Sequence, residues 1–260
     1  MTIIPPVVPP LLVDNRFDRH LTPGNTVEWL RDGWRDLMTN PIPSLLYGAL
    51  VFLVSVGIIL GLVFLQWDYV LLPALAGFLV FAPVLAAGLY EKSRAIEQNE
   101  PVSFRRMAFP RAKSGGQILF MGALLSGLMV LWMRTAVVIY ALFFGVRPFP
   151  GFDEVTPMLF NTSMGWAILI VGILVGGLFA AFSFAIAAFS LPMMLDKRVD
   201  AFTAMGTSLA LIWNNLRTML VWAAIVLTSF IACLATGLLG LIVIFPWLGH
   251  ATWHAYKAVR

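Results

Sequence analysis

Two histidines near the end of this sequence have the spacing of a metal-binding pair. His250 and His254 are four positions apart, so a helix would place both imidazoles on one face, where they could bind one metal ion. A third ligand is not evident, because the single cysteine, Cys233, lies in another apolar run and the apolar runs contain no carboxylate. Three aromatic residues flank the pair: Trp247, Trp253 and Tyr256. Such a cluster is typical of a membrane interface, so we expect interfacial histidines and no bound metal, with a metal or haem site as the alternative.

Arg134 is the only charged residue deep inside a long apolar run. At about 1.5 Å per residue it lies roughly 24 Å along a helix from Ile118, near the far boundary of a hydrocarbon layer of about 30 Å. A charge at that boundary can reach the interface, whereas a charge at the bilayer centre is costly. We expect an ion pair with an acidic residue of the adjacent loops: Asp68, Asp153 or Glu154. The alternative is a site for an anion or a lipid head group.

Motifs of enzymes and of proton-coupled carriers are absent from the sequence. The apolar runs contain no Asp or Glu, although a proton-coupled carrier usually needs a protonatable group near mid-membrane. The sequence also contains no phosphate-binding loop, zinc-protease helix or serine nucleophile elbow. We therefore expect a protein that is not an enzyme and carries no cofactor.

The elements that must position these residues are predicted to be membrane-spanning helices. Of the 260 residues, 60% are hydrophobic and 12% are charged, whereas a soluble domain has about 45–50% and about 25%. A spanning helix needs about 20 apolar residues. Six runs approach or exceed this length: 43–66, 69–90, 117–144, 164–194, 219–236 and 237–256. They predict an all-α membrane domain over residues 25–260 with six transmembrane helices.

The six runs are arranged as three pairs, each preceded by a polar, basic segment. The second run of every pair contains a proline: Pro83, Pro192 and Pro246. A proline removes one backbone hydrogen bond and bends a helix, which a helical bundle tolerates where neighbours satisfy the freed carbonyl. The pattern predicts three hairpins, each with one bent helix, and an internal threefold repeat.

The basic residues are distributed as in a membrane protein and not as in a nucleic-acid-binding protein, despite the net charge of +4. All but two of the 17 Lys and Arg residues fall in the first segment, in the loops between hairpins or at the carboxyl terminus; the exceptions are Arg134 and Arg147. Basic residues are retained on the cytoplasmic side. We expect a bacterial inner-membrane protein with both termini in the cytoplasm, a tight external turn at Gly237 and Gly240, and no nucleic-acid partner.

Two amphipathic helices are predicted on the cytoplasmic surface, one before the first run and one before the fifth. Their apolar faces are Val27, Leu30, Trp34, Leu37 and Met38 in the first, and Phe202, Met205, Leu209 and Ile212 in the second. Asp200 is the predicted N-cap of the second helix.

The loop between the first two hairpins is predicted to form a basic rim that binds anionic lipid head groups. Its basic residues are Lys92, Arg94, Arg105, Arg106, Arg111 and Lys113. The alternative role of this rim is a docking face for a cytoplasmic protein.

Residues 1–24 are predicted to form a disordered, proline-rich cytoplasmic tail. Four prolines lie between Ile3 and Val13, a density that disfavours a helix and suits an extended, solvated chain. A docking peptide for a partner is the alternative. No basic segment leads into an apolar helix, so a cleavable signal peptide is not expected.

Four short stretches of this sequence resemble a family of proteobacterial predicted integral membrane proteins that forms a domain of unknown function. The stretches begin at Gly33 (GWRD, followed by NP and YG), Ala87 (AGLYE, followed by SR), Leu131 (LWMR) and Gly249 (GHATWH). The resemblance covers nearly everything after Thr26 and implies an inner-membrane protein without an established activity. Some members are labelled as cytochrome-oxidase-subunit-like, but the spaced histidines that haem and copper centres need are absent here.

Two functions are consistent with these features. The first is a non-enzymatic accessory, assembly or scaffold component, whose partners are the bilayer, including its anionic lipids, and another inner-membrane complex. The alternative is a transporter or channel for an apolar or anionic small molecule, with a site near Arg134.

Overall fold

The fold is entirely helical in the part of the chain that the structure describes. This computed structural model describes Asn15 and residues 17–145 and 149–260, without the side chains of Asp68 and Phe152. No β-strand occurs among these residues, which confirms the all-α prediction. The helices are α1 (Asn25–Met38), α2 (Pro41–Phe64), α3 (Leu71–Leu85), α4 (Ala87–Glu97), α5 (Phe104–Ala108), α6 (Gly115–Phe144), α7 (Phe152–Asn161), α8 (Ser163–Ala187), α9 (Ser190–Asp196), α10 (Ala201–Asn214), α11 (Leu216–Ala235) and α12 (Ile244–Val259).

The predicted tail is only partly covered by this description. Residues 1–14 and 16 lie outside the described residues. The described remainder has partners at the start of α11 and at the end of α12. The Arg19 backbone N–H donates to Asn215 Oδ1 at 3.1 Å, and Arg19 Nε donates to the Val259 carbonyl at 3.0 Å. A disordered tail extending to residue 24 is therefore wrong for this part, because it has specific partners.

Five stretches are long and apolar enough to cross a membrane. They are Pro41–Phe64, Leu71–Glu97, Gly115–Phe144, Ser163–Asp196 and Leu216–Ala235. They coincide with the first five predicted runs, and the chain is an integral membrane protein with several apolar helices. The second stretch consists of α3 and α4, and the fourth consists of α8 and α9.

The sixth predicted run, 237–256, does not form a helix of spanning length. It contains a 3₁₀ turn at Leu239–Ile242 and the first part of the 16-residue helix α12. The side chains of Trp253 and Tyr256 are buried in the protein. The count of six spanning helices is therefore not confirmed in the described chain, because the last apolar run packs mainly against protein.

Helices α11 and α12 form a hairpin whose tip stops beside the middle of the neighbouring helices. At the tip, a Cβ added to Gly48 of α2 would collide with the Ile242 carbonyl. Helix α2 continues from there to Phe64, about 24 Å further at 1.5 Å per residue. Phe245, at the start of α12, packs on Phe78 of α3 with ring centroids 6.0 Å apart. The third hairpin is thus shorter than the other two, and a threefold repeat is not confirmed.

The tip of this hairpin satisfies much of its backbone with its own hydrogen bonds. Leu238 N–H donates to the Cys233 carbonyl at 2.7 Å, and Val243 N–H donates to the Gly240 carbonyl at 3.2 Å. Gly240 N–H donates to the Thr236 hydroxyl at 3.0 Å. Because these backbone groups are paired within the turn, the chain reverses direction with few of them left to bond with water. The turn is composed almost entirely of apolar residues.

The predicted bend at Pro83 coincides with a break between α3 and α4. Helix α3 ends at Leu85, two residues after the proline, and α4 begins at Ala87. At the break, Leu89 N–H bonds to the Ala86 carbonyl and not to that of Leu85, and the Tyr47 hydroxyl of α2 donates to the Leu85 carbonyl at 2.8 Å. The break is therefore stabilised by a neighbouring helix. Pro246 behaves differently, since it lies in the first turn of α12, where no helical hydrogen bond is lost.

The break between α8 and α9 contains an inserted hydroxyl group. Phe189 N–H donates to Ser208 Oγ at 3.2 Å, and the same hydroxyl donates to the Ala185 carbonyl at 2.8 Å. Ser208 of α10 thus replaces the helical hydrogen bond between these two groups, which ends α8 at this point. The N-cap prediction for α10 is confirmed, since Asp200 Oδ1 accepts from Thr203 N–H at 2.9 Å.

Helix α1 packs along α12, so the predicted surface helix is partly enclosed. Trp247 Nε1 donates to the Leu30 carbonyl at 2.7 Å. Trp29 and Leu37 are buried, whereas Val27 of the predicted apolar face is 57% exposed. The enclosed face of α1 is therefore rotated from the predicted one, because it contacts a protein helix.

One end of the bundle gathers α1, α4, α5, α9 and the second half of α12, and we call it the polar end. All ion pairs between different helices of the described chain lie there. The opposite end carries α7 and the turn between α2 and α3, and we call it the α7 end.

Candidate functional site

A series of hydrogen bonds between buried side chains crosses the polar end. Lys92 Nζ donates to Ser44 Oγ at 2.8 Å, and Ser44 Oγ lies 2.9 Å from His250 Nε2. His250 Nδ1 lies 2.8 Å from Ser93 Oγ. None of these four residues is more than 2% exposed. Together with Asp36 and His254, they form what we call the buried polar chain.

Asp36 and His254 form the end of the buried polar chain that lies closest to solvent. His254 Nε2 lies 2.8 Å from Asp36 Oδ2, and the His254 side chain is 22% exposed. Burial by itself raises the pKa of Asp36, but hydrogen bonds from His254 and Ser93 outweigh burial, so the pKa of this carboxyl lies below its ordinary value. The buried polar chain therefore runs from a lysine to a carboxylate through a hydroxyl, an imidazole and a second hydroxyl.

One tautomer of His250 satisfies every member of this series. An ammonium group can only donate, so Ser44 accepts from Lys92 and directs its own O–H to His250 Nε2. Nδ1–H of His250 then donates to Ser93, whose hydroxyl is directed to Asp36. Within the described residues, no buried side-chain atom of this series lacks a hydrogen-bond partner.

Glycines allow three of the helices that carry these side chains, α1, α4 and α12, to approach closely. A Cβ at Gly33 of α1 would lie 2.5 Å from the backbone nitrogen of Ala251 in α12. A Cβ at Gly249 would lie 2.5 Å from Leu89 Cδ1 in α4. Side chains at these positions would push α12 away from its neighbours and separate His250 from its serines.

Lys92 also closes the connection between α1 and α2. Its Nζ donates to the Asn40 carbonyl at 2.9 Å and to the Leu37 carbonyl at 3.4 Å. These carbonyls have no helical partner because α1 ends here. A cation at this point is also favourable to the helix dipole of α1.

A second buried group of charges lies on the other side of α4, and we call it the Glu91 cluster. Glu91 is fully buried and pairs with Arg94 and Arg106, each at 2.6 Å. Arg94 also donates to the carbonyls of Leu195 and Arg111 at 2.6 and 2.7 Å. The cluster therefore joins α4 to α5, to α9 and to the segment that follows α5.

The end of α12 is tied to α9 through Asp196. Asp196 Oδ2 accepts from the Tyr256 hydroxyl at 2.9 Å and pairs with Arg260 at 2.8 Å. Lys257 pairs with Glu97 of α4 as well. The last residues of the chain are thus fixed to the polar end.

The chemistry available to the buried polar chain is limited by access. Enzymes with a serine nucleophile also place a serine hydroxyl against an imidazole, which acts as the base. Here Ser44 and His250 are fully buried, and Ser44 Oγ already accepts a hydrogen bond from Lys92 Nζ. Neither residue lines either of the two cavities described below.

The structure separates the two predicted metal ligands into different environments. His250 is fully buried between Ser44 and Ser93, so an interfacial position is wrong for it. His254 contacts Asp36 instead. In the described chain, no group of three or more His, Cys, Asp or Glu side chains is placed to hold a metal ion.

The predicted basic rim is divided between the interior and the surface. Lys92 and Arg94 are 1% and 5% exposed, so their side chains cannot reach lipid head groups. Arg106 is largely enclosed by its ion pairs. Three members of the predicted rim are exposed: Arg105, Arg111 and Lys113.

Arg134 is exposed on α6. Among the acids proposed as its partner, Asp153 and Glu154 lie exposed on α7 and form no ion pair with it, and the side chain of Asp68 is not described. Arg147 lies outside the described residues.

A cleft of about 1270 Å³ opens on the side of the bundle, and we call it the lateral cleft. Its walls come from α3, α6 and α8 on one side and from α11 on the other, with α7 and α10 at its ends. Ile173 of α8 and Leu220 of α11 line it and are 72% and 60% exposed. Arg134 is not among its lining residues. A smaller apolar cavity of about 110 Å³ lies between α3, α11 and α12.

Sequence reasoning missed Asp36, Ser44 and Ser93 as members of the site. Ser44 and Ser93 are 206 and 157 positions from His250, so no local spacing could indicate these contacts. The predicted run 69–90 ends before Ser93, whereas the structure continues this stretch as helix α4 to Glu97.

Comparison with known proteins agrees with the membrane assignment and adds no activity. No curated protein and no solved structure is significantly similar to the chain. Residues 71–196, which contain α3 to α9, are similar to one family of unknown function, described as predicted integral membrane protein (DUF2189).

Proposed function

We propose that this protein is a non-enzymatic accessory, assembly or scaffold component of a bacterial inner membrane. The closure of the polar end carries this proposal. The side chains that could act as nucleophile, base or acid there, such as Ser44, His250 and Lys92, are buried and hydrogen-bonded to one another. A catalytic group must reach its substrate, and these groups have no free approach.

The same contacts make the polar end a suitable platform for binding. The buried polar chain joins α1, α2, α4 and α12, and the Glu91 cluster joins α4, α5 and α9. The exposed cations Arg105, Arg111 and Lys113 lie on this platform and give it a basic surface. Such a surface attracts anionic lipids and acidic protein faces.

Both termini are proposed to face the cytoplasm. The contact between Arg19 and Val259 places the two ends of the described chain together, which requires an even number of crossings. Four crossings by α2, α3, α6 and α8 meet this requirement if the α11–α12 hairpin enters and leaves on the same side. The short reach of its tip and its internally bonded apolar turn support this re-entrant arrangement. The concentration of basic residues at the polar end supports a cytoplasmic orientation.

Cross-linking in native membranes, followed by purification and protein identification, tests the accessory role. We expect one membrane complex to be captured by the wild type. The triple variant Arg105→Gln, Arg111→Gln, Lys113→Gln should lose it. Arg31→Gln removes an exposed cation from α1 and serves as the matched control. Capture of no complex by the wild type, or equal capture by the triple variant, would contradict the proposed platform.

A transporter for an apolar molecule is the second candidate, and the lateral cleft favours it. Flux of apolar and anionic substrates into proteoliposomes tests this function. A flux that is lost in Arg134→Ala would support the predicted site at this residue. A flux that is kept in Arg134→Ala and lost when the lateral cleft is filled would place transport in the cleft.

A further inference from the structure

The lateral cleft extends over most of the depth of a bilayer. Along α8 its lining residues run from Ile168 to Ala185, about 26 Å at 1.5 Å per residue. A hydrocarbon layer is about 30 Å thick. Because α8 lies in a membrane-spanning stretch, the opening of the cleft between α8 and α11 faces the acyl chains of the bilayer.

Both ends of the lateral cleft are covered by helices. Val155 and Leu159 of α7 line one end, and Leu209 and Trp213 of α10 line the other. Within the described residues, a helix therefore borders each end of the cleft, whereas its side between α8 and α11 is open. A molecule can enter it sideways from the bilayer.

The lining of the cleft selects an apolar molecule of lipid size. Its volume of about 1270 Å³ exceeds the roughly 300–1,000 Å³ of sites for small ligands. Water is a poor occupant, since an apolar space offers few hydrogen-bond partners. Gly172 and Gly177 of α8 line the cleft, and a Cβ at either would meet no atom within 4 Å. Open space thus extends to the helix backbone.

A cation stands next to the cleft at its α10 end. Arg217 is exposed, follows the lining residue Leu216 and forms no ion pair within the described chain, although it is not itself a lining residue. At the α7 end, Asp153 and Glu154 are exposed beside Val155, and Arg134 is exposed on α6. Charges of both signs thus lie near the α7 end, whereas an anionic group is attracted to Arg217 at the α10 end.

We propose that the lateral cleft is a binding site for one phospholipid, with its acyl chains between α8 and α11 and its phosphate beside Arg217. This site is additional to the proposed accessory role and does not depend on it. The bilayer supplies this ligand at high local concentration, and the cleft supplies the apolar surface and the terminal charge that hold it.

Native mass spectrometry of the full-length protein tests the site, after reconstitution in nanodiscs of phosphatidylglycerol and phosphatidylethanolamine and release into detergent. We expect the wild type to retain one phospholipid. Gly172→Leu and Gly177→Leu place a side chain in the space that an acyl chain would occupy, and they should lower the retained fraction about tenfold. Gly61→Leu and Gly127→Leu add the same side chain where no atom lies within 4 Å and outside the cleft, and they should retain the lipid.

Arg217→Gln and a photoactivatable phosphatidylglycerol separate the parts of this proposal. The variant should lose the preference for phosphatidylglycerol over phosphatidylethanolamine, while lipid still cross-links to the tryptic peptide that contains Ile173. Thermal unfolding of each variant shows whether its fold is kept. The proposal is overturned if folded Gly172→Leu and Gly177→Leu retain as much lipid as the wild type, if the wild type retains none, or if a second protein chain, and not lipid, cross-links at Ile173.

Discussion

His254 Nε2 lies 2.8 Å from Asp36 Oδ2, a contact that joins residues 218 positions apart and links the last helix of the chain to the first. Through Asp36 this contact leads into the buried polar chain and reaches Lys92 of α4, whose ammonium group lies at the start of α2. Four helices thus share one series of hydrogen bonds, and each has a partner that only the folded chain provides.

The pH dependence of stability should contain a contribution from Asp36. Its pKa is lowered in the folded state, so the ionised carboxylate stabilises the fold above the ordinary pKa of about 3.9, and this contribution is lost as pH falls below that value. Asp36→Asn should lower the unfolding temperature at neutral pH and remove this part of the acid dependence. Thermal unfolding in detergent at neutral and acidic pH measures both effects. Asp32→Asn, on the same helix, is the control, and identical profiles for Asp36→Asn and the wild type would refute the role.

Replacement of Lys92 by methionine should destabilise the protein. The change leaves two carbonyls and the Ser44 hydroxyl without their donor, at a cost of about 1–3 kcal/mol for each buried group left unsatisfied. Chemical unfolding in mixed micelles gives the difference in free energy. Lys113→Met removes an exposed lysine and should stay within about 0.5 kcal/mol of the wild type. Similar values for the two variants would show that Lys92 does not hold the α1–α2 connection.

A side chain at Gly33 should separate α1 from α12. Gly33→Leu places its Cβ within 2.5 Å of the Ala251 backbone nitrogen, and overpacking of this kind costs about 1–3 kcal/mol. A fall in unfolding temperature is expected. Gly57→Leu is the matched control, because no atom lies within 4 Å of its added Cβ. A tolerated Gly33→Leu would mean that α1 does not pack as closely on α12 as described.

Loss of the Ser208 hydroxyl should weaken the break between α8 and α9. In Ser208→Ala, Phe189 N–H and the Ala185 carbonyl lose the group that lies between them, and we expect destabilisation of about 1–3 kcal/mol. Ser126→Ala removes a hydroxyl that bonds only to its own helix, at Gly122, and should be nearly neutral. Hydrogen exchange at Phe189 reports the local change. Unaltered protection there would count against the inserted hydroxyl.

The tip of the α11–α12 hairpin should be inaccessible from both sides of the membrane. In a Cys233→Ala background, a cysteine at Leu239 should react with a membrane-impermeant maleimide only after detergent is added. A cysteine at Gln66, in the turn between α2 and α3, should react from outside intact cells. Reaction of the Leu239 position from outside would instead show that α11 and α12 cross the membrane completely.

The spanning helices were predictable from sequence because length and apolar composition alone decide them. The run 117–144 differs from α6 by two residues at its start. The run 237–256 is apolar as well, but it packs mainly against protein helices, and composition does not report what an apolar residue touches. The prediction for Lys92 and Arg94 was wrong for the same reason. Both have polar partners from distant segments, so charge did not place them at the surface.

The packing of α1 along α12 determines when the fold can be completed. Since synthesis starts at the amino terminus, α1 and the spanning helices exist before their partner helix has been made. Until residues 244–259 emerge from the ribosome, the Leu30 carbonyl and Asp36 lack their partners Trp247 and His254. Without α12 the polar end would lack the partners of Leu30 and Asp36, so the packing of α1 is completed only after the last 16-residue helix has been made.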